Sequence, residues 1–537
     1  MDVEAVVVGA GFAGLYMLHR LRQLGFSVQV LEAADGVGGT WYWNRYPGAR
    51  CDVESLQYSY SFMPDLDQEW NWTERYATQP EILRYLNHVA DRLSLRSHIR
   101  FETRVTAATF DERQQKWLIE TNHGENFSAR FLILATGCLS LPRVPDLPGA
   151  RRFNGRLLQT SRWPHEGVDF SGQKVGVVGT GSSGLQSIPV IAQQAEQLVV
   201  FQRTPCFSVP AQNRPMELGD LQRFKANARE LRSQARQSFT GFFPGDVAEA
   251  PPAALAVSAE ERQRRYEQAW ARGGLEFMLT FSDLFVDRQA NATAIEFLHG
   301  KIRSSVKNPE VAELLLPKGF PAFTKRLCVD TNYFDTYNRP NVTLVDIRTH
   351  PIIELTETGL RTDATHYELD SIVFATGFDA MTGAATAIDI RGRSGATLRE
   401  KWAAGPRTYL GLAVAGFPNL FMVTGPGSPS VLSNMVVSIE QHVEWIADCL
   451  AFMRGNDMGS IEASEAAQAA WVDHVAAVSS ATLFPEAPSW YVGANVPGKA
   501  RVFMAYFGGA DAYRRKCDEV AGARYDGFTL AREASHP

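Results

Sequence analysis

Val6-Val7-Val8 form an unbroken apolar run that stops at Gly9-Ala10-Gly11-Phe12-Ala13-Gly14. Leu15, Leu18, Leu21 and Leu24 then recur at near-helical spacing until Gly25, and a second apolar run spans Val28 to Leu31. That periodicity predicts a helix between two buried strands. The alternation returns later: Lys174 to Val178 leads into Gly179-Thr180-Gly181-Ser182-Ser183-Gly184, a helical stretch through Ile191, and a strand from Leu198 to Phe201. Phe131 to Leu134 and Ser371 to Phe374 are further apolar runs, each followed by Ala-Thr-Gly, and by pattern alone they are buried strands. Between residues 210 and 324 the composition shifts to Arg, Glu, Gln and Ala with few β-branched runs, which predicts a helical insertion of lid or packing type. Within it, Ser258-Ala259-Glu260-Glu261 reads as a capping box and Asn308-Pro309-Glu310 as a helix start. Pro244, Pro251 and Pro252 mark a loop.

Strand, glycine turn, helix, and a second strand closed by an acid make up a dinucleotide-binding unit. Gly9, Gly11 and Gly14, with Ala13 beside the last, permit a tight turn and close approach of a pyrophosphate to a helix N-terminus. Glu32 closes the second strand, about where a carboxylate would meet a ribose 2′-hydroxyl. In the later unit Gln202 occupies the acid's position and Arg203-Thr204 follow. Losing the acid and gaining a guanidinium suits a 2′-phosphate. The first unit is therefore expected to take FAD and the second NADPH, cradled by Gly179, Thr180, Gly181, Ser182, Ser183 and Gly184. The competing readings are a structural glycine turn and, for Arg203, a plain surface cation.

The stretch Gly38-Gly39-Thr40-Trp41-Tyr42-Trp43-Asn44-Arg45-Tyr46-Pro47-Gly48-Ala49-Arg50-Cys51-Asp52 mixes glycines, aromatics and proline in a way no regular element favours. It reads as a loop against a large flat aromatic ligand, a flavin wall with Asp52 aimed at the chemistry; a surface loop rich in aromatics is the alternative. Gly425 to Met435 is a Gly/Pro/Ser loop ahead of a helix from about Val436 to Phe452, so its N–H groups could approach a flavin ring. Ser489 to Asn495 is another aromatic loop.

Bulk properties narrow the class. A chain of 537 residues exceeds one core and implies two to four domains. A net charge of −6 argues against nucleic acid. No apolar run approaches the roughly 18 residues that span a bilayer. Cys51, Cys138, Cys206, Cys328, Cys449 and Cys517 are scattered without a CxxC pair, which suits a reducing compartment and removes a redox dithiol. No cluster has metal-ligand spacing, so no metal is expected. The N-terminus reads as a strand rather than a signal peptide, and a soluble cytoplasmic protein, by default a monomer, is expected.

With these motifs in place, the chain resembles the type I Baeyer–Villiger monooxygenases over nearly its whole length. Gly38-Gly39-Thr40-Trp41 through Tyr46-Pro47-Gly48 to Asp52 is similar to that family's GGxWxxxxYPGxxxD signature, and Phe153 to Pro164 to its FxGxxxHxxxWP fingerprint. The resemblance implies an α/β fold with two Rossmann-like domains: residues 1–141 and 379–537 for FAD, 142–209 and 325–378 for NADP, and 210–324 inserted. In the family NADPH reduces FAD, oxygen adds to the flavin, and the resulting peroxide converts a ketone to an ester or lactone. By position, Arg326 matches the arginine that stabilises the peroxide and Asp52 the residue orienting it. Thr40, Trp41, Tyr42, Trp43, Tyr58, Val105 and Met435 match flavin contacts. Arg203, Thr204 and Lys325 match the 2′-phosphate site, and Arg326 and Trp490 contact NADP. Cys138, Leu139, Ser430, Val431 and Leu432 match the substrate pocket; small aryl or cyclic ketones are implied.

One position departs: the fingerprint histidine is Gln159. Glutamine can hydrogen-bond but cannot carry a proton charge. It either replaces the histidine as a donor or leaves an oxidase that wastes NADPH as hydrogen peroxide. A flavin monooxygenase acting on nitrogen or sulfur shares both glycine turns and is the other alternative.

Overall fold

The computed structural model describes residues 1–243 and 250–532, so of the three expected loop prolines Pro244 lies outside the described residues. Two sheets carry the architecture. In the first, Asp2–Val8 lies in the middle, parallel to Val28–Leu31 on one side and Asn126–Leu134 on the other. Ile99–Arg100 extends it beyond Val28–Leu31, Leu420–Met422 runs beside Asn126–Leu134, and Lys116–Thr121, Val105–Asp111 and Asp389–Arg391 complete eight strands. The second has five parallel strands in the order Val342–Asp346, Gln197–Gln202, Lys174–Val178, Ser371–Phe374, Arg156–Gln159. Val6, Val7, Val175 and Val177 are fully buried, as parallel strands covered on both faces require.

The sequence echo is a structural echo. Gly9 N–H donates to Leu31 O (2.9 Å) and Gly179 N–H to Phe201 O (3.0 Å), while Ala135 N–H donates to Val8 O and Ala375 N–H to Val178 O. Each Ala-Thr-Gly thus presses its alanine carbonyl against a glycine turn. A Cβ on Gly9 would sit 2.7 Å from Ala135 O and one on Gly179 2.6 Å from Ala375 O, at φ of +107° and +109°. Only glycine fits both the space and the backbone. The turns open into helices Phe12–Gln23 and Ser182–Gln194 at the carboxyl ends of the strands, where ligands bind in open α/β sheets.

The stretch 210–324 holds helices Leu218–Arg236, Ala259–Arg272, Arg288–Ser305 and Pro309–Leu315. Asn308 caps its helix through Glu310 N–H and Val311 N–H. Only half of the Ser258 capping box forms: Ser258 Oγ accepts from Glu261 N–H (3.2 Å), but the Glu261 carboxylate turns to Arg264 and Arg265. The insertion is anchored by a buried ion pair. Arg232 donates to Asp67 at 2.7 Å and to Ser59 Oγ at 2.6 Å, beneath the Phe224 and Phe243 rings. Among the described residues no helix is long and apolar enough to cross a membrane.

Candidate active site

Both glycine-turn helices begin at a glycine (Gly11, Gly181) with no side-chain cap and no acidic residue in the first turn. Their first N–H groups are left for an anion, and the helix dipole favours one. The position a Cβ would take on Gly181 is open space, and that on Gly11 lies 3.4 Å from Gly39 Cα, so the first turn abuts the Gly38-Gly39 loop. Each turn thus leaves uncapped helix N–H groups that a pyrophosphate could approach. Glu32 is buried and accepts from Ala10 N–H (2.6 Å) and Ala34 N–H (2.8 Å). Burial pushes its carboxyl up, against those amides. Its side chain therefore holds the glycine turn in shape, and a carboxylate retains lone pairs beyond these two bonds.

At the second turn the charges converge. Burial pushes Lys325 down, with Cys206 opposing and Arg203 adding repulsion; its ammonium lies 4.4 Å from the centre of the Phe320 ring. Arg143 is likewise lowered, by burial and then by Arg203, against Asp379. Lys325 and Arg143 thus both feel the Arg203 charge, a grouping of cations that would suit a doubly charged phosphate. Gln202 turns away, donating to Leu314 O, and Thr204 contributes a carbonyl that accepts from Thr180 Oγ1 (3.1 Å).

The Gly38–Asp52 stretch is not wholly irregular, since Thr40–Trp43 form one helical turn. Gly39, at φ +53°, turns the chain so that its carbonyl accepts from Tyr42 and Trp43 N–H. The turn splits its aromatics. Trp41 Nε1 donates to Tyr58 O–H (3.2 Å), whereas the Tyr42 hydroxyl donates to Asp35 and its ring meets Trp43 and His165. Val105 lies within the core of the first sheet, beside Val8, Leu31 and Leu134.

Asp52 and Arg326 meet. Arg326 Nη2 lies 3.3 Å from Asp52 Oδ2, and Nη1 donates to Val431 O at 3.3 Å. The side chains are 27% and 12% exposed for Arg326 and Asp52, enough to face a ligand yet largely shielded from water. Burial opposes the guanidinium charge, but Asp52 and then Tyr491 hold Arg326 well above its ordinary value, so it stays cationic. Burial raises Asp52, with Arg326 opposing. The other Asp52 oxygen, Oδ1, accepts from Gln186 Nε2 at 3.4 Å.

Beyond Arg326 lies an apolar cluster of Cys138, Ala380, Met381, Val431, Phe484, Tyr491 and Met504, with Leu139, Leu432, Met435 and Trp490 packed against it. It brings together every residue matched to the substrate pocket: Ser430 Oγ donates to Cys138 Sγ at 3.8 Å. Ser430 holds φ +41°, a strained value for a residue with a Cβ. Phe285, in the turn ahead of helix Arg288–Ser305, stacks on Phe484, so the 210–324 stretch supplies part of this wall. Burial pushes the Cys138 thiol up to about 11, which leaves it a packing group. Gln159 Nε2 donates to Arg143 O (3.1 Å), and the Arg143 guanidinium donates to Asn495 O in the aromatic loop.

Sequence reasoning missed Gln186, Arg143 and Tyr491. Gln186 reads as an ordinary polar helix position, and Arg143 lies outside every motif. Tyr491 could have been flagged by its place in an aromatic loop beside Trp490.

Residues 6–216, which include both glycine turns, match the family model described as pyridine nucleotide-disulphide oxidoreductase, although no CxxC occurs in the chain. A Baeyer–Villiger monooxygenase from Pseudooceanicola batsensis is 44% identical over 98% of this chain and 96% of its own length. A phenazine N-monooxygenase from Lysobacter antibioticus is 43% identical over 99% of this chain and 98% of its own. The solved structure of an oxidized steroid monooxygenase bound to NADP superposes with a TM-score of 0.94 at 52% identity, covering 99% of this chain and 100% of that one. Two glycine turns and full-length likeness at this level leave one conclusion: the chain belongs to the FAD- and NADP-dependent Baeyer–Villiger monooxygenases.

Proposed function

We propose that this protein inserts an oxygen atom beside the carbonyl of a small aryl or cyclic ketone, giving an ester or lactone. The observation that carries the reading is the Arg326–Asp52 pair, which stands directly against the apolar cluster through the Arg326–Val431 contact. Bound FAD, reduced by NADPH, supplies the activated oxygen. The chain's own residues hold the charge and exclude water. Arg326, permanently protonated and planar, faces the negative charge that builds as oxygen attacks the carbonyl. Asp52 fixes the guanidinium plane, and Tyr491 lies close enough for the two side chains to influence each other electrostatically. Trp41 and Tyr58 form the wall against the flavin ring, and Cys138, Leu139, Val431 and Leu432 exclude water around the ketone.

The first sheet with residues 1–141 and 379–537 is assigned to FAD, and the second with 142–209 and 325–378 to NADP. Arg203 and Lys325 grip the 2′-phosphate. A soluble monomer of the cytoplasm is the matching cellular form, and sizing by light scattering tests the monomer.

A second reading has a specific observation behind it: the phenazine N-monooxygenase shares 43% identity. The two separate by products. FAD-loaded protein is incubated with NADPH and a panel of ketones, a thioether and a phenazine, with NADPH uptake corrected for peroxide. Ester or lactone from a ketone supports the first reading. N-oxide or sulfoxide with no ester from any ketone establishes the second.

A further inference from the structure

Gln186 lies in the first turns of the helix that leaves the second glycine turn, yet its side chain belongs to the Tyr46–Asp52 loop of the other nucleotide unit. Its Oε1 accepts from Tyr46 O–H (2.8 Å) and Arg50 N–H (3.4 Å); its Nε2 donates to Arg50 O (3.1 Å) and Asp52 Oδ1 (3.4 Å). Two acceptor and two donor positions are filled, the full capacity of a primary amide. The orientation is fixed, because Arg50 O and the Asp52 carboxylate can only accept and Arg50 N–H can only donate. The backbone closes on the same point. A Cβ on Gly48 would sit 2.4 Å from Gln186 O, so the loop can clasp the helix only with glycine there, at φ +83°.

Asp52 is consequently shared, with Oδ2 on Arg326 and Oδ1 on Gln186. A carboxylate free of Gln186 could rotate to engage the guanidinium with both oxygens, the geometry arginine and carboxylate prefer. We propose that Gln186 is a positioning residue: it keeps Asp52 engaged with Arg326 through one oxygen only and ties that geometry to occupation of the second nucleotide site, whose helix carries it. This rests on the reading that Arg326 faces the developing charge. All four hydrogen bonds of the Gln186 amide go to the Tyr46–Asp52 loop, so its influence on Arg326 passes through Asp52.

The groups facing this amide are Asp52, Arg326, Tyr46 and Arg50, with the Arg50 guanidinium engaged by Glu74; Cys328, near Tyr46 and Asp52, is kept a neutral thiol by Cys206 and burial. Gln186→Glu preserves shape and the acceptor side but sets a second carboxylate against Asp52. Protonated, it can still donate to Asp52; ionised, it repels Asp52 and Arg50 O. Burial and Asp52 both raise its pKa, so the defect should appear as pH rises.

The test uses FAD-loaded wild type, Gln186→Glu and Gln186→Leu, with Arg326→Ala as a control. NADP+ affinity is measured by calorimetry between pH 6 and about 9. Gln186→Glu should bind like wild type at the acid end and lose roughly tenfold relative to it at the alkaline end. Gln186→Leu should be reduced by NADPH at the wild-type rate, yet release several-fold more hydrogen peroxide per NADPH at every pH. A merely structural role would lower the melting temperature without a pH-dependent affinity. NADP+ affinity of Gln186→Glu that parallels wild type across the range, or unchanged peroxide release by Gln186→Leu, overturns the proposal. Ester formation by Arg326→Ala would instead overturn the reading beneath it.

Discussion

The Arg326 guanidinium donates to the Val431 carbonyl at 3.3 Å, joining the fixed cation of the site to the backbone of the loop that bounds the apolar cluster. Ser430, the preceding residue, holds a strained left-handed backbone, and its carbonyl is pinned by Ser433 Oγ at 3.0 Å. The loop's shape and the arginine's position are thus set together. Substitutions that relax Ser430 should alter both the ketone preferred and the fraction of NADPH converted to product.

Arg203 is exposed at the end of its strand, and both Lys325 and Arg143 feel its charge. Arg203→Ala removes one charge-assisted contact to a 2′-phosphate, worth about 1.5–3 kcal/mol. The dissociation constant for NADPH should rise about 10- to 100-fold, with that for NADH affected far less. Calorimetry with both nucleotides checks it; equal losses would remove the 2′-phosphate from Arg203.

Gln159 supplies a neutral hydrogen bond to Arg143 O, which also accepts from Thr376 Oγ1. A neutral imidazole could make the same bond. Gln159→His should therefore leave hydrogen peroxide per NADPH unchanged, while Gln159→Leu should raise it, because the linker loses one of two donors worth about 1 kcal/mol. A fall in peroxide for Gln159→His would show the amide to be the cause of wasted NADPH.

Asp330 accepts from Ser208 O–H (2.8 Å) and Tyr333 N–H (3.3 Å) and is buried, which pushes its carboxyl up to about 6. Its folded-state pKa lies above the unfolded 3.8, so the native state favours the protonated acid. The stabilisation is complete below about pH 4 and is lost as pH rises through about 6, a loss of about 3 kcal/mol. Asp330→Asn should flatten stability against pH in that window, as read by urea unfolding. An unchanged slope would mean Asp330 is ionised in the fold.

The six strands read from apolar runs, both glycine turns and the helical character of 210–324 were legible because each is written in local period and turn chemistry. Lys174–Val178 matches its apolar run residue for residue, whereas a strand such as Val105–Asp111 carries no such run. Asp52 was singled out from its loop, whereas Arg326 and the pairing of the two were legible only through family resemblance, since nothing local joins positions on different elements. Gln186 was not legible at all, because its partners arrive from a distant loop. The Thr40–Trp43 turn escaped notice since aromatic residues are poor helix formers and a single turn has no period. The capping box failed halfway because Glu261 had two arginines within reach, a competition set by geometry.

Ester formation by FAD-loaded Arg326→Ala, measured beside the rate at which NADPH reduces its flavin, tests the central claim most directly. Without the cation the site should still accept hydride, since Lys325 and Arg203 remain, but ester or lactone should fall to background while NADPH is consumed as hydrogen peroxide. Ketone oxygenation retained at a rate near wild type would contradict the account.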